Sequence, residues 1–254
     1  MRFWHQFKGQ ISRIIAMKTP SSPLVLRGIS SMATKAVLAD LIPAYLAQTG
    51  VSVQIESVGG VDAAKRVQAG EAFDMVLLAS DAIERLIASG HVQPSTRSDW
   101  VRSPVAVAVQ AGAAKPDLSN EAAVKAAVLA STTVSYSSGP SGVFLEKLFA
   151  RWGIADEVKA RIVVPPPGTP VGALVANGQA SLGFQQLSEL IALPGIDLLG
   201  TLPADIAFIT TFSSGIASAI ANDAARVAAV QSFLEFLASA GVEDVKRKQG
   251  MNWL

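Results

Sequence analysis

The sequence predicts an α/β protein in which helices cover a mostly parallel sheet. Three observations carry that expectation. Strand and helix patterns alternate as βαβαβα over residues 24–89, the order that places successive strands side by side and parallel. Met75–Ala79 is an unbroken apolar run, as expected of a strand buried on both faces. Short strands also give way repeatedly to small-residue turns and then helices, in VLRGISSMATKAV, SYSSGPSGVFLEKLF and PPPGTPVGALVANG.

Composition narrows the class. A chain of 254 residues suits one large domain or two lobes of about 100–150 residues, with room for a substantial core. Half of the residues are apolar and 16% are charged, which sets the chain apart from disordered sequences. A formal net charge of +1 gives no reason to expect nucleic acid or a lipid surface as partner. The chain has no cysteine, so disulfides, thiolate zinc sites and cysteine nucleophiles are excluded and the redox compartment stays open. No run of about 18 apolar residues is present to cross a membrane. The segment MRFWHQFKGQISRIIAMK is basic, but its longest aliphatic run is Ile14–Met17, and a secretory signal needs about 7–15 apolar residues and a small-residue cleavage site. The sequence as written therefore predicts a cytoplasmic protein, or a periplasmic one if a leader has been lost.

Residues 1–23 read as an extension and linker, marked by Pro20, Ser21, Ser22 and Pro23. Leu24–Leu26 is the first strand, and the helix after it puts Val37, Leu38, Leu41, Ile42 and Tyr45 on one face, with a kink expected at Pro43. Val51, Val53 and Ile55 alternate as a second strand; Gly59-Gly60 turns into a short helix that Gly70 stops. After Met75–Ala79, Asp81 is the expected cap of a helix over Ala82–Ser89. Pro104–Val109 is a strand, Asn120–Ala130 a helix and Thr133–Ser137 a strand. Ile162–Val164 follows, then Thr169 as N-cap with Pro170 at the first helical position and Gly178 as the stop. Ala180–Phe184, Ile206–Phe212 and a last helix capped by Asn222 or Asp223 complete the main elements, with a basic segment Val242–Gln249 at the end.

The usual catalytic motifs are absent. No HExxH, GxSxG, Walker loop or GxGxxG in strand–helix context occurs, and carboxylates do not cluster at metal-ligand spacing. His5 lies in the extension and His91 follows a helix-ending glycine, so Ser138-Gly139-Pro140-Ser141-Gly142 has no histidine partner for a triad. What recurs instead is the start of a helix preceded by small or hydroxyl residues: Ser30/Ser31, Gly59/Gly60, Ser141/Gly142 and Thr169. Helix N-termini carry unpaired N–H groups and partial positive charge, and can hold an anion with no metal or cofactor. Ser80 and Ser138 join this set. Arg27, at the end of the first strand, is a candidate carboxylate clamp because a guanidinium pairs bidentately with carboxylate.

The order of the SS pair, the helix ending in PAY, KRVQAGEAFDMVLLAS, SYSSGPSGVFLEKLF and ASLGFQQLSEL resembles the molybdate-receptor-like branch of type II periplasmic binding proteins over residues 24–254. The resemblance implies two α/β lobes, 24–104 plus 212–254 and 105–211, joined by crossing strands at Pro104–Val109 and Ile206–Phe212 and closing on an anion. It places an oxyanion-binding serine at Ser30 or Ser31, backbone contacts at Pro140–Gly142 and near Pro170-Val171, and a second serine site in the Gly59–Val61 turn, where this chain has none. The family's ligand-contacting tyrosine falls at Gln186, beside Gln185. A glutamine pair offers donors and acceptors together, which suits a polycarboxylate better than molybdate. The same branch also resembles aconitate isomerase, which moves a proton and a double bond within a tricarboxylate. Three readings stand at this point. One is a receptor for a small anion, working with an ABC-importer permease if exported. Another is an isomerase whose base the sequence does not identify, and the third is an anion sensor.

Overall fold

The structure, a computed structural model, describes residues 24–166 and 168–252. The extension and linker expected over residues 1–23, with His5, lie outside the described residues, and so does the ground for the cytoplasmic expectation. In chain order the elements are β1 (Val25–Ser31), α1 (Lys35–Thr49), β2 (Ser52–Val58), α2 (Gly60–Gln68), β3 (Met75–Ala79), α3 (Ser80–Ala88), β4 (Ser98–Gln110), α4 (Glu121–Ala130), β5 (Val134–Tyr136) and α5 (Pro140–Arg151). There follow α6 (Ala155–Val158), β6 (Ile162–Val163), α7 (Val171–Ala176), β7 (Leu182–Gln186), α8 (Leu187–Leu190), β8 (Ile196–Thr201), β9 (Ile209–Ile216), α9 (Ala224–Ala238) and α10 (Glu243–Lys248).

The strand order is β2-β1-β3-β9-β4-β7-β5-β6, with β8 on the other side of β4. β1 pairs in parallel with β2 and β3, and β5 with β6 and β7. The antiparallel pairs all involve β4 or β9, the strands that cross the molecule. β4 pairs with β9 from Ser98 to Pro104 and with β7 from Val105 to Ala108. One strand thus serves both parts of the sheet. The apolar core divides accordingly. One cluster draws on Leu26, Leu41, Met75, Trp100, Phe212 and Phe233, another on Val107, Val134, Phe149, Leu182, Phe184 and Leu202.

Several expectations need correction. β1 does not turn at Gly28 but runs on to Ser31. Gly28 is there because a side chain would collide with the next strand: a Cβ would lie 2.8 Å from Met75 Cγ. β8 was not expected; its half-buried, uneven pattern of exposure lacks the alternation that marks a strand. The strand expected over Ile206–Phe212 begins later, at Ile209, because Ala204–Ile206 forms a 3-10 turn. Helix α3 starts at Ser80, so Asp81 sits in its first turn and pairs with Arg85 at 2.8 Å rather than capping it. Pro170, not Thr169, precedes the first residue of α7. Asp223 does cap α9, accepting from the Arg226 N–H at 3.0 Å.

Lys246 in α10 is a charged side chain with no exposure to solvent. Its Nζ donates to the Trp100 carbonyl at 3.1 Å and lies 5.8 Å from the Trp100 ring centre. Burial lowers its pKa from 10.5 to about 8. Below pH 8 both folded and unfolded chains hold the proton and the folded chain bears the full cost of burying it. Stability therefore rises with pH from about 8 towards 10.5, where only the unfolded chain stays protonated. Lys246→Met is expected to raise stability by about 1–2 kcal/mol at pH 7, after the lost hydrogen bond and ring contact are deducted. Urea melts at pH 7 and pH 10 check this: the gain should shrink at the higher pH, and an equal gain at both would refute it.

Candidate functional site

A cleft of about 1120 Å³ opens where the two parts of the sheet meet. Its walls come from the ends of β1 and β3 with the starts of α2 and α3, and facing them from the β5–α5 loop, residues 164–166 and 168–170, the end of β7, α8 and the start of β9. Among the expected residues, Ser31, Gly60, Ser80, Ser138, Ser141, Thr169, Gln185 and Gln186 line it. Four do not. Arg27 is exposed on β1 away from the cleft, and its N–H donates to Asp74 Oδ2. Ser30 is fully buried, its hydroxyl 2.8 Å from that of Ser57 on β2. Gly142 packs under the β5–α5 loop, where a Cβ would lie 1.7 Å from the Ser137 carbonyl oxygen. Val171 is buried in the α7 cluster.

Several buried residues of the lining are polar. Ser31 is 6% exposed and Gln186 3%; Ser31 Oγ and Gln186 Oε1 are both enclosed and without a hydrogen-bond partner. A buried hydroxyl or amide oxygen left unpaired costs about 1–3 kcal/mol, so these two atoms are places where a ligand is worth most. Gln186 Nε2 donates to Thr210 Oγ1 on β9 at 2.7 Å. Turning that amide over would let Thr210 donate to the oxygen instead and present the NH2 group to the cleft. The helices α2, α3 and α5, capped by Gly59, Ala79 and Gly139, begin at the cleft with backbone donors in their first turns. Ser141, 1% exposed, is held by Ser137, whose Oγ is 3.1 Å away.

Both glutamines stand at the end of β7, and both are buried. Gly183 makes this possible: a Cβ there would lie 2.5 Å from Val175 Cγ2, so its absence lets α7 lie directly on β7. The Gly172 N–H then donates to Gln185 Oε1 at 3.3 Å, and Gln185 Nε2 donates to Glu189 Oε1 at 2.8 Å.

Glu189, Lys65 and Lys147 line the cleft and were not among the sequence candidates. Glu189 is partly open to the cleft but enclosed by protein, and that burial pushes its carboxyl up to about 7 against the lowering effect of the Gln185 bond. Lys65 on α2 and Lys147 on α5 are exposed and have no ion pair among the described residues. Apolar surface completes the lining. Phe144 and Phe208 stack with centres 4.4 Å apart, and Val61, Val143, Val164 and Ile209 are large apolar side chains exposed at the cleft. Among the described residues no group of histidine, cysteine and carboxylates could hold a metal ion.

Two helix-covered sheets joined by crossing strands around a donor-lined cleft make up the architecture of a solute-binding protein. The chain belongs to the bacterial extracellular solute-binding proteins, whose family model matches residues 26–252. It is similar to an aconitate isomerase of a Pseudomonas species, 37% identical over 244 residues that cover 90% of this chain and 92% of that one. In fold it is similar to the periplasmic molybdate-binding protein of Azotobacter vinelandii, with a TM-score of 0.72 and 20% identity over 90% of this chain and 99% of the other. It is also similar to the sulfate-binding protein of Mycobacterium tuberculosis H37Rv, with a TM-score of 0.72 and 16% identity over 91% and 87% of the two chains. Among the described residues no helix is long and apolar enough to cross a membrane.

Proposed function

We propose that the protein encloses a small polycarboxylate between lobes formed by residues 24–104 with 212–254 and by 105–211, and interconverts cis- and trans-aconitate there. The observation that carries this reading is the pair of unpaired lysines, Lys65 and Lys147, in a cleft that also has an apolar wall. A tetrahedral oxyanion asks for a compact ring of donors. An organic tricarboxylate asks for separated donors and cations, with apolar surface against its carbon skeleton. Ser31, Ser141 and Gln186 would hold carboxylate oxygens, and the lysines would meet the remaining charge. Sites for small organic ligands run to about 300–1,000 Å³, and a cleft of about 1120 Å³ fits such a ligand better than a bare oxyanion. The relative at 37% identity supports the same choice.

A second reading is that of a receptor for a molybdate-like oxyanion, serving an ABC-importer permease from the periplasmic side. The three helix N-termini at the cleft and the oxyanion-binding neighbours in fold favour it. Thermal shifts separate the two. A ligand at 100 times its Kd adds about 2.7 kcal/mol, so both aconitate isomers and citrate are expected to raise the midpoint, and molybdate, tungstate and sulfate much less. Proton NMR of either aconitate isomer in deuterated water should then show interconversion. A strong shift with molybdate alone, and no conversion, would return the protein to the receptor class.

A further inference from the structure

We infer that Glu189 is the base that carries a proton between the two outer carbons of the substrate, with Gln185 as the residue that positions it; the inference rests on the isomerase reading of the cleft. Proton removal needs a group that is inside the cleft, free at one atom and held at another. Glu189 meets each condition. One carboxylate oxygen accepts from Gln185 Nε2 at 2.8 Å, and the other has no partner among the described residues. Gln185 is 2% exposed and cannot turn over without loss, because its own oxygen accepts the Gly172 N–H. Its NH2 group must therefore face Glu189. Helix α8, which carries Glu189, packs against the 3-10 turn Met32–Thr34 that follows Ser31. Glu189 and the unpartnered hydroxyl of Ser31, which would hold the substrate, line the same cleft.

The other acids and bases of the cleft are less suited. Asp81 is paired with Arg85, Asp62 is exposed on α2, and His91 does not line the cleft. A solvated carboxylate is also a weak base at neutral pH. Burial removes that obstacle for Glu189, whose carboxyl is pushed up to about 7, near the working pH at which a general base acts best.

The step balances without a co-reactant. The Glu189 carboxylate takes a proton from the methylene carbon of aconitate. That C–H electron pair forms a new double bond to the central carbon, and the electrons of the old double bond move to the former vinyl carbon. This carbon takes the proton back from Glu189, which returns to carboxylate. The charge of the intermediate spreads over the flanking carboxylates, where donors at the cleft stabilise it. One base on one face suffices for both transfers.

The test uses wild-type protein with Glu189→Gln, Glu189→Asp and Gln185→Met, assayed with trans-aconitate in deuterated water by proton NMR, with binding followed by thermal shift. Glu189→Gln is expected to keep the trans-aconitate shift and to lose about 10²–10⁴-fold in isomerisation and deuterium uptake. Glu189→Asp, which keeps a carboxylate, is expected to recover part of that loss. Gln185→Met removes a bond that favours the ionised form, so kcat should fall with little change in KM and the acid limb of kcat/KM should move to higher pH. A Glu189→Gln protein with more than a tenth of the wild-type isomerisation rate overturns the assignment and leaves the isomerase reading intact. Wild-type protein that binds aconitate without interconverting its isomers overturns both.

Discussion

Asp74→Ala is expected to remove about 3 kcal/mol from the stability of the fold, a large part of the 5–15 kcal/mol that a domain commands. Asp74 stands just before β3, and its side chain is 7% exposed. Its Oδ2 accepts the Arg27 N–H of β1 and Arg226 Nη1 of α9, each at 2.7 Å. Its own N–H donates to the Arg27 carbonyl at 2.7 Å, and its carbonyl accepts from Ala217 just past β9. One residue therefore ties β1, β3, β9 and α9 together. Alanine leaves the Arg27 N–H unpaired and the guanidinium without its close counter-charge. Breaking a buried pair costs about 3–5 kcal/mol, and the lower end applies because Arg226 is 30% exposed and also approaches Asp223 at 3.8 Å. Urea unfolding of Asp74→Ala, Arg226→Ala and the double variant gives the coupling between them. A loss under 1 kcal/mol for Asp74→Ala would mean that water replaces the pair, and that α9 is held by its apolar face alone.

This knot could not be read in the sequence, and the reason is general. Apolar period and small-residue turns are local signals, and they located β3, α4 and the start of α2 to within a residue or two. The family resemblance, not these local signals, led to the expectation of crossing strands; in the structure β4 pairs with β9 along one half and with β7 along the other. A contact such as Arg226 with Asp74 spans 152 residues, and nothing local announces it. The cleft divides in the same way. Ser31, Gly60 and Ser141 stand at strand–helix junctions, where sequence pattern points. Arg27 was chosen for its chemistry at the end of an expected strand. The strand in fact continues for four more residues to Ser31, and alternation along it turns Arg27 outwards. Lys65 and Lys147 lie one and two turns into α2 and α5, facing a cleft that exists only once the sheets have met. For Glu189 a signal did exist. Gln185 and Glu189 are four residues apart across the corner from β7 to α8, a spacing that lets side chains meet on a helix. The corner hid it.

Stability measured against pH should register the same carboxylate. Glu189 titrates at about 7 in the folded chain and near its ordinary 4.5 when unfolded. Between those values the folded chain holds a proton that the unfolded chain has released. Its contribution is therefore most favourable below pH 4.5 and is lost as pH rises through 7, the reverse of a salt-bridged acid. The whole difference corresponds to about 3 kcal/mol, and water in the open cleft reduces it to about 2. Glu189→Gln keeps the shape and the partner of the side chain but cannot ionise. It should be more stable than the wild type by about 2 kcal/mol at pH 8 and equal to it at pH 4.5. Other acids held low by partners, such as Asp117 and Asp197, contribute equally to both proteins and cancel in the difference. Denaturant melts of the two proteins between pH 4.5 and 8 give the measurement, and parallel curves would refute it. A carboxyl group whose ionisation costs the fold stability calls for a reason outside the fold. The proposed proton transfer in the cleft would supply one.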